Sequence, residues 1–135
     1  MLTDQRPICG VGVVVVDNAR ILLVQRGRPP GEGLWAVPGG KVLFGEPMRG
    51  AARREAREET GLDLEIGSVV WAGDSIGPGY PPEWHFCLVD FRGRVIGGEL
   101  MAGDDARRVR WVALSEVRSL PLTPTMPSLL AALSE

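Results

Sequence analysis

Between Gly39 and Leu62 the chain sets four glutamates, Glu46, Glu55, Glu58 and Glu59, among glycines and arginines. Carboxylates at this density suit hard divalent cations such as Mg²⁺ or Mn²⁺, which prefer carboxylate, carbonyl and water oxygens and often bind beside substrate phosphates. On a helix turning about 100° per residue, Glu55, Glu58 and Glu59 fall in one sector together with Met48, Ala51 and Ala52. Arg53, Arg54, Arg57 and Gly50 take the opposite or flanking side. Two carboxylates about 5 Å apart repel by roughly 3 kcal/mol at an effective dielectric of about 20. Cations would relieve that repulsion. The competing interpretation is a solvated acidic face with intrahelical pairs, such as Arg54 with Glu58 at i,i+4. Gly39 and Gly40 allow backbone to approach closely, so a carbonyl or amide can face a metal or a phosphate. No His or Cys lies nearby, which argues against zinc.

Several elements must position this segment. Pro47 opens the clearest helix, predicted over 47–60, and Gly61 suits the position just past its end. Residues 8–16 read as a buried strand ended by Asp17-Asn18, and 20–25 as a second strand, the two forming a hairpin. A loop at 28–33 leads through an extended piece at 34–37 to Pro38-Gly39-Gly40, and a short strand is expected at 41–44. Strands follow at 64–76 and 84–94, then a loop at 96–105, a strand at 107–112, a helical turn at 115–120 and a helix at 126–134 capped by Thr125. This order predicts an α+β fold, an α/β/α sandwich with a mixed β-sheet.

With spacing and elements in hand, the segment resembles a known family. Gly40, five residues, Glu46, seven residues, then Arg54-Glu55-Ala56-Arg57-Glu58-Glu59-Thr60-Gly61-Leu62 is similar to the complete Nudix box of MutT-like hydrolases. Leu34-Trp35-Ala36-Val37-Pro38-Gly39-Gly40 also looks like the family's lead-in. The resemblance implies the Nudix fold, Mg²⁺ (or Mn²⁺) as cofactor, and hydrolysis of a nucleoside diphosphate linked to another moiety. It implies Glu55, Glu58 and Glu59 as metal ligands, the Gly39 carbonyl as a further ligand, Glu46 in support or on an additional ion, and Arg54 orienting the glutamates. Water would attack phosphorus while the metals neutralise diphosphate charge. A weaker likeness to ADP-ribose pyrophosphatase-type members runs through His85-Phe86, residues 102–106, Trp111 to Leu114 and Leu120 to Pro124. It points to ADP-ribose or a related nucleotide sugar. A nucleotide-sanitising triphosphate pyrophosphohydrolase and a non-catalytic Nudix-fold ligand binder are the alternatives.

Outside the box, Trp35, Phe44, Trp71, Tyr80 and Trp84 are candidates for stacking on a base, with core packing the favoured role for each except Tyr80, which sits in a Gly/Pro loop. Glu99 and Asp104 belong to an acidic loop suited to substrate or metal contact; an ordinary solvated turn is the alternative. His85 is expected to be a packed, hydrogen-bonded strand residue rather than a catalyst, and Cys9 and Cys87 two buried free thiols rather than a disulfide or metal pair, since no Cys/His cluster accompanies them. Arg108 and Arg110 share a strand face that would meet a phosphate or guard a sheet edge. At 135 residues and a net charge of −2, one domain over 1–135 is expected, with a small-molecule nucleotide as partner and no match to nucleic acid. No apolar run is long enough for a bilayer and Met1 to Pro7 lacks a signal-like core, so no membrane partner and a cytoplasmic location are expected. Dimers are common in the family, which makes a homodimer an expectation too.

Overall fold

The structure, a computed structural model, describes residues 6–103 and 105–134. In chain order the elements are β1 (Ile8–Val14), β2 (Val16–Asp17), β3 (Arg20–Arg26), β4 (Trp35–Ala36), β5 (Gly39–Lys41), α1 (Met48–Thr60), β6 (Leu62–Ile76), β7 (His85–Gly98), β8 (Ala106–Ala113), a 3₁₀ turn (Val117–Ser119) and α2 (Met126–Leu133). One sheet has the order β5-β1-β7-β6, in which β1 and β7 run parallel and the other pairs antiparallel, so it is mixed as expected. In the second sheet β3 pairs antiparallel with β2, β4 and β8.

Strand β1 explains why two layers form on its two sides. Its residues alternate in direction. Val11 and Val13, with Val15 beyond the strand end, join one core with Ala51, Ala52 and Ala56 of α1 and with Leu64 and Phe91. Val14 turns the other way, into a core with Ile21, Leu23, Trp35 and the α2 residues Leu129 and Leu130. A run apolar on both faces belongs at the centre of a sheet, and β1 sits between β5 and β7.

That placement corrects the expected hairpin between residues 8–16 and 20–25. Only its tip forms, with Val16 opposite Ile21 and Asp17 opposite Arg20. Asn18 and Ala19 turn the chain with φ of 52° and 58°, as a tight two-residue hairpin requires. The main body of β1 pairs in the other sheet. The strand expected at 41–44 lies earlier, at Gly39–Lys41, and Phe44 is fully exposed on the turn that follows. Strand β7 continues to Gly98, so the acidic loop starts at Glu99.

Cys9 and Cys87 are a further correction: both are exposed. They lie opposite each other where β1 and β7 begin, beyond the packed cores, and Ile8 beside them is exposed as well. Among the described residues, no helix is long and apolar enough to cross a membrane.

Candidate metal centre

Helix α1 carries the glutamates, and its ends are fixed locally. Pro47 precedes it in extended conformation, with φ −63° and ψ 145°. Gly61 stops it at φ 77°, its amide donating to the Arg57 carbonyl, a left-handed cap natural to glycine. One face buries Ala51, Ala52, Ala56 and Thr60. The Thr60 hydroxyl donates to the Ala56 carbonyl at 2.6 Å and accepts from the Leu62 amide, so its polar group is satisfied inside the core. Small alanines let the helix lie close on the sheet, and the glutamates border that contact.

Arg54 joins three of the four carboxylates. It grips Glu46 with two nitrogens, at 2.8 and 2.9 Å, the planar two-pronged geometry a guanidinium offers. Its Nη1 donates to Glu55 at 2.7 Å and reaches Glu58 more loosely at 3.3 Å. Its Nη2 also donates to the Lys41 carbonyl, tying α1 to β5. Glu46 additionally accepts from the Leu43 amide. Arg54 first, and that amide second, pull the Glu46 carboxyl down to about 2. Arg54 is itself driven further into its charged form, chiefly by Glu46.

The fourth carboxylate reaches the sheet. Glu59 accepts from the Gly39 amide at 2.8 Å. Both glycines of the lead-in are needed for close approach: a side chain at Gly40 would run into the Glu55 carboxylate, and one at Gly39 into the Val11 carbonyl. Arg54 thus joins Glu46, Glu55 and Glu58, while Glu59 meets the Gly39 amide and Glu55 lies against Gly40. Carboxylate and carbonyl oxygens of this kind are the donors a hard divalent cation takes. Glu55 and Glu46 are mostly covered, whereas Glu58 is about half-exposed, with 43% of its side chain open to solvent.

The other sequence candidates stand apart in character. Tyr80 is fully exposed on the loop between β6 and β7. The loop after β7 closes over the end of α1 through its main chain: Met101 and Gly103 amides donate to the Thr60 and Glu59 carbonyls. There the Glu99 carbonyl, rather than its carboxylate, lies against Gly61. Asp104 lies outside the described residues. Trp35 is a core residue at 4% exposure, with Arg110 over its ring at 5.4 Å. The Lys41 carbonyl and Leu43 amide were not legible as parts of the cluster. In the structure Gly45, with φ of 83°, turns the chain just before Glu46.

Comparison with known proteins agrees with the motif and the topology. The family model described as NUDIX domain matches residues 7–133. An ADP-ribose pyrophosphatase of Methanocaldococcus jannaschii is 39% identical over 109 residues, 81% of this chain and 63% of that protein. A putative 8-oxo-dGTP diphosphatase 2 of Mycobacterium tuberculosis is 36% identical over 115 residues, 84% of this chain and 79% of the relative. The crystal structure of a MutT NUDIX hydrolase from Burkholderia pseudomallei superposes with a TM-score of 0.87 at 30% identity, covering 96% of this chain and 99% of that one. The chain belongs to the Nudix family. It spans just under two thirds of the length of the Methanocaldococcus relative.

Proposed function

We propose that this chain is a Nudix pyrophosphohydrolase that cleaves the pyrophosphate bond of a nucleoside diphosphate linked to another moiety, with ADP-ribose or a related nucleotide sugar as the first candidate. The observation that carries the reading is the cluster in which Arg54 and the Gly39 amide hold four glutamates together. A divalent cation, Mg²⁺ or Mn²⁺, bound there would neutralise diphosphate charge and make the attacking water more acidic.

The chain's own groups divide the remaining work. Glu55 and Glu59, set against Gly40 and Gly39, offer oxygens from fixed positions. The Gly39 carbonyl is assigned as a backbone ligand beside them. Glu58, the most exposed of the helix carboxylates, completes the set on its solvent side. Arg54 keeps the carboxylates ionised and aimed, and Glu46 fixes Arg54. Gly40 leaves room for a phosphate near the carboxylates. As water oxygen bonds to one phosphorus, the bond from that phosphorus to the bridging oxygen breaks. A nucleoside monophosphate and the phosphorylated second moiety are released. Tyr80, Glu99 and Asp104 are assigned to the rest of the substrate.

A second reading, nucleoside triphosphate hydrolysis, is favoured by the mycobacterial relative's name. A panel of ADP-ribose, nucleotide sugars and (deoxy)nucleoside triphosphates with Mg²⁺ separates the two. Fastest kcat/KM on ADP-ribose or a nucleotide sugar is expected; preference for triphosphates selects the second reading. No turnover of any compound, with Mn²⁺ as well, would leave only a non-catalytic ligand binder.

A further inference from the structure

A second group of ligating side chains stands on the first sheet, away from the glutamates. Asp74 of β6 is the ladder partner of Cys87 of β7, and His85 precedes Cys87 by two residues along β7 on the same face. One ligand atom from each of Asp74, His85 and Cys87 lies within 4.8 Å of the other two. The His85 Nε2 is 3.5 Å from Asp74 Oδ1. An ion pair alone would account for the histidine and the carboxylate, but it leaves unexplained a thiol facing both. That thiol is not isolated, since Cys9 opposes Cys87 in register on β1.

The donor chemistry differs from that of the metal centre on α1. A thiolate, an imidazole and one carboxylate form a set that suits Zn²⁺ and its neighbours among the divalent transition metals, whereas an all-oxygen set suits Mg²⁺. Metal–ligand bonds of roughly 2.0–2.3 Å in tetrahedral geometry place donors roughly 3.3–3.8 Å apart. The three side chains need to draw together only slightly, and none is buried. Their backbones are held by the β6–β7 ladder. The sheet order places β6 and β5 at opposite edges, so this group is distinct from the glutamate cluster against Gly39 and Gly40.

We propose that Asp74, His85 and Cys87 bind one Zn²⁺-type divalent transition-metal ion on the face of the sheet, with the fourth position left to water. The test is titration of the full chain with Co²⁺, a spectroscopic substitute for Zn²⁺, in a large excess of Mg²⁺ that occupies the glutamate cluster. One equivalent should bind, giving a thiolate-to-cobalt charge-transfer band and the visible bands of tetrahedral cobalt. Cys87→Ser should abolish the charge-transfer band. His85→Ala and Asp74→Ala should each weaken binding by more than about tenfold, the least that loss of even an outer-shell partner costs. Glu58→Gln should leave both spectrum and affinity unchanged. Absence of the band, its survival in Cys87→Ser, or full displacement of Co²⁺ by Mg²⁺ would overturn the assignment.

Discussion

Arg54 and Glu46 meet through two parallel contacts that lysine, a single point charge, cannot reproduce. Arg54→Lys should therefore retain the fold but lower kcat at least roughly tenfold by loosening Glu55 and Glu58; thermal melts alongside steady-state rates check both halves. The pH behaviour of the clamp has a definite sign. Glu46, held near 2 in the folded chain against an ordinary 4.5, contributes stability that is fully present above 4.5 and is lost as pH falls towards 2. Asp90 behaves oppositely. It is 7% exposed, lies against Gly12, and burial raises its carboxyl to about 6 from an ordinary 3.8. Stability is lost as pH rises between those values, because the folded state disfavours the charged form. Asp90→Asn should thus be more stable than the parent by on the order of 1–3 kcal/mol at pH 8, with no such gain at pH 4. Urea denaturation at the two pH values measures this, and an equal difference at both would refute it.

Helix α1 was legible almost to the residue, since Pro47 and Gly61 act through backbone geometry that needs no tertiary context. Gly61→Ala should cost at least about 1 kcal/mol, from the left-handed φ of 77° and from crowding against the Glu99 carbonyl; a denaturant titration reads the loss. The strands were legible as elements but not as partners. The valine run of β1 announces burial on both faces without saying which strands flank it, so the expected pairing with β3 survives only at the Asn18-Ala19 turn. Cys9 and Cys87 look like core residues by type, yet they lie at strand beginnings outside the packed layers. The grouping of Asp74 with His85 and Cys87 depends on a β6–β7 register that shifts at several points. No spacing along the chain encodes it.

At the scale of the molecule, the glutamate cluster proposed to hold the cation lies where α1 meets the edge strand β5, with the Arg54–Lys41 and Glu59–Gly39 contacts as its bridges. Fold class and the glutamate cluster were both legible because one contiguous segment builds most of the site. The placement of the loops that carry Tyr80 and Glu99 was not, because these residues have no spacing relation to the box. Glu59→Gln isolates the charge from the scaffold: its amide oxygen can still accept from the Gly39 N–H, while the carboxylate is gone. The most direct measurement is kcat of Glu59→Gln, beside Glu58→Gln, on the best substrate of the panel at saturating Mg²⁺. Each is expected to fall by roughly 100-fold or more, with unchanged thermal stability. Wild-type turnover in either variant would contradict a cation held by these glutamates.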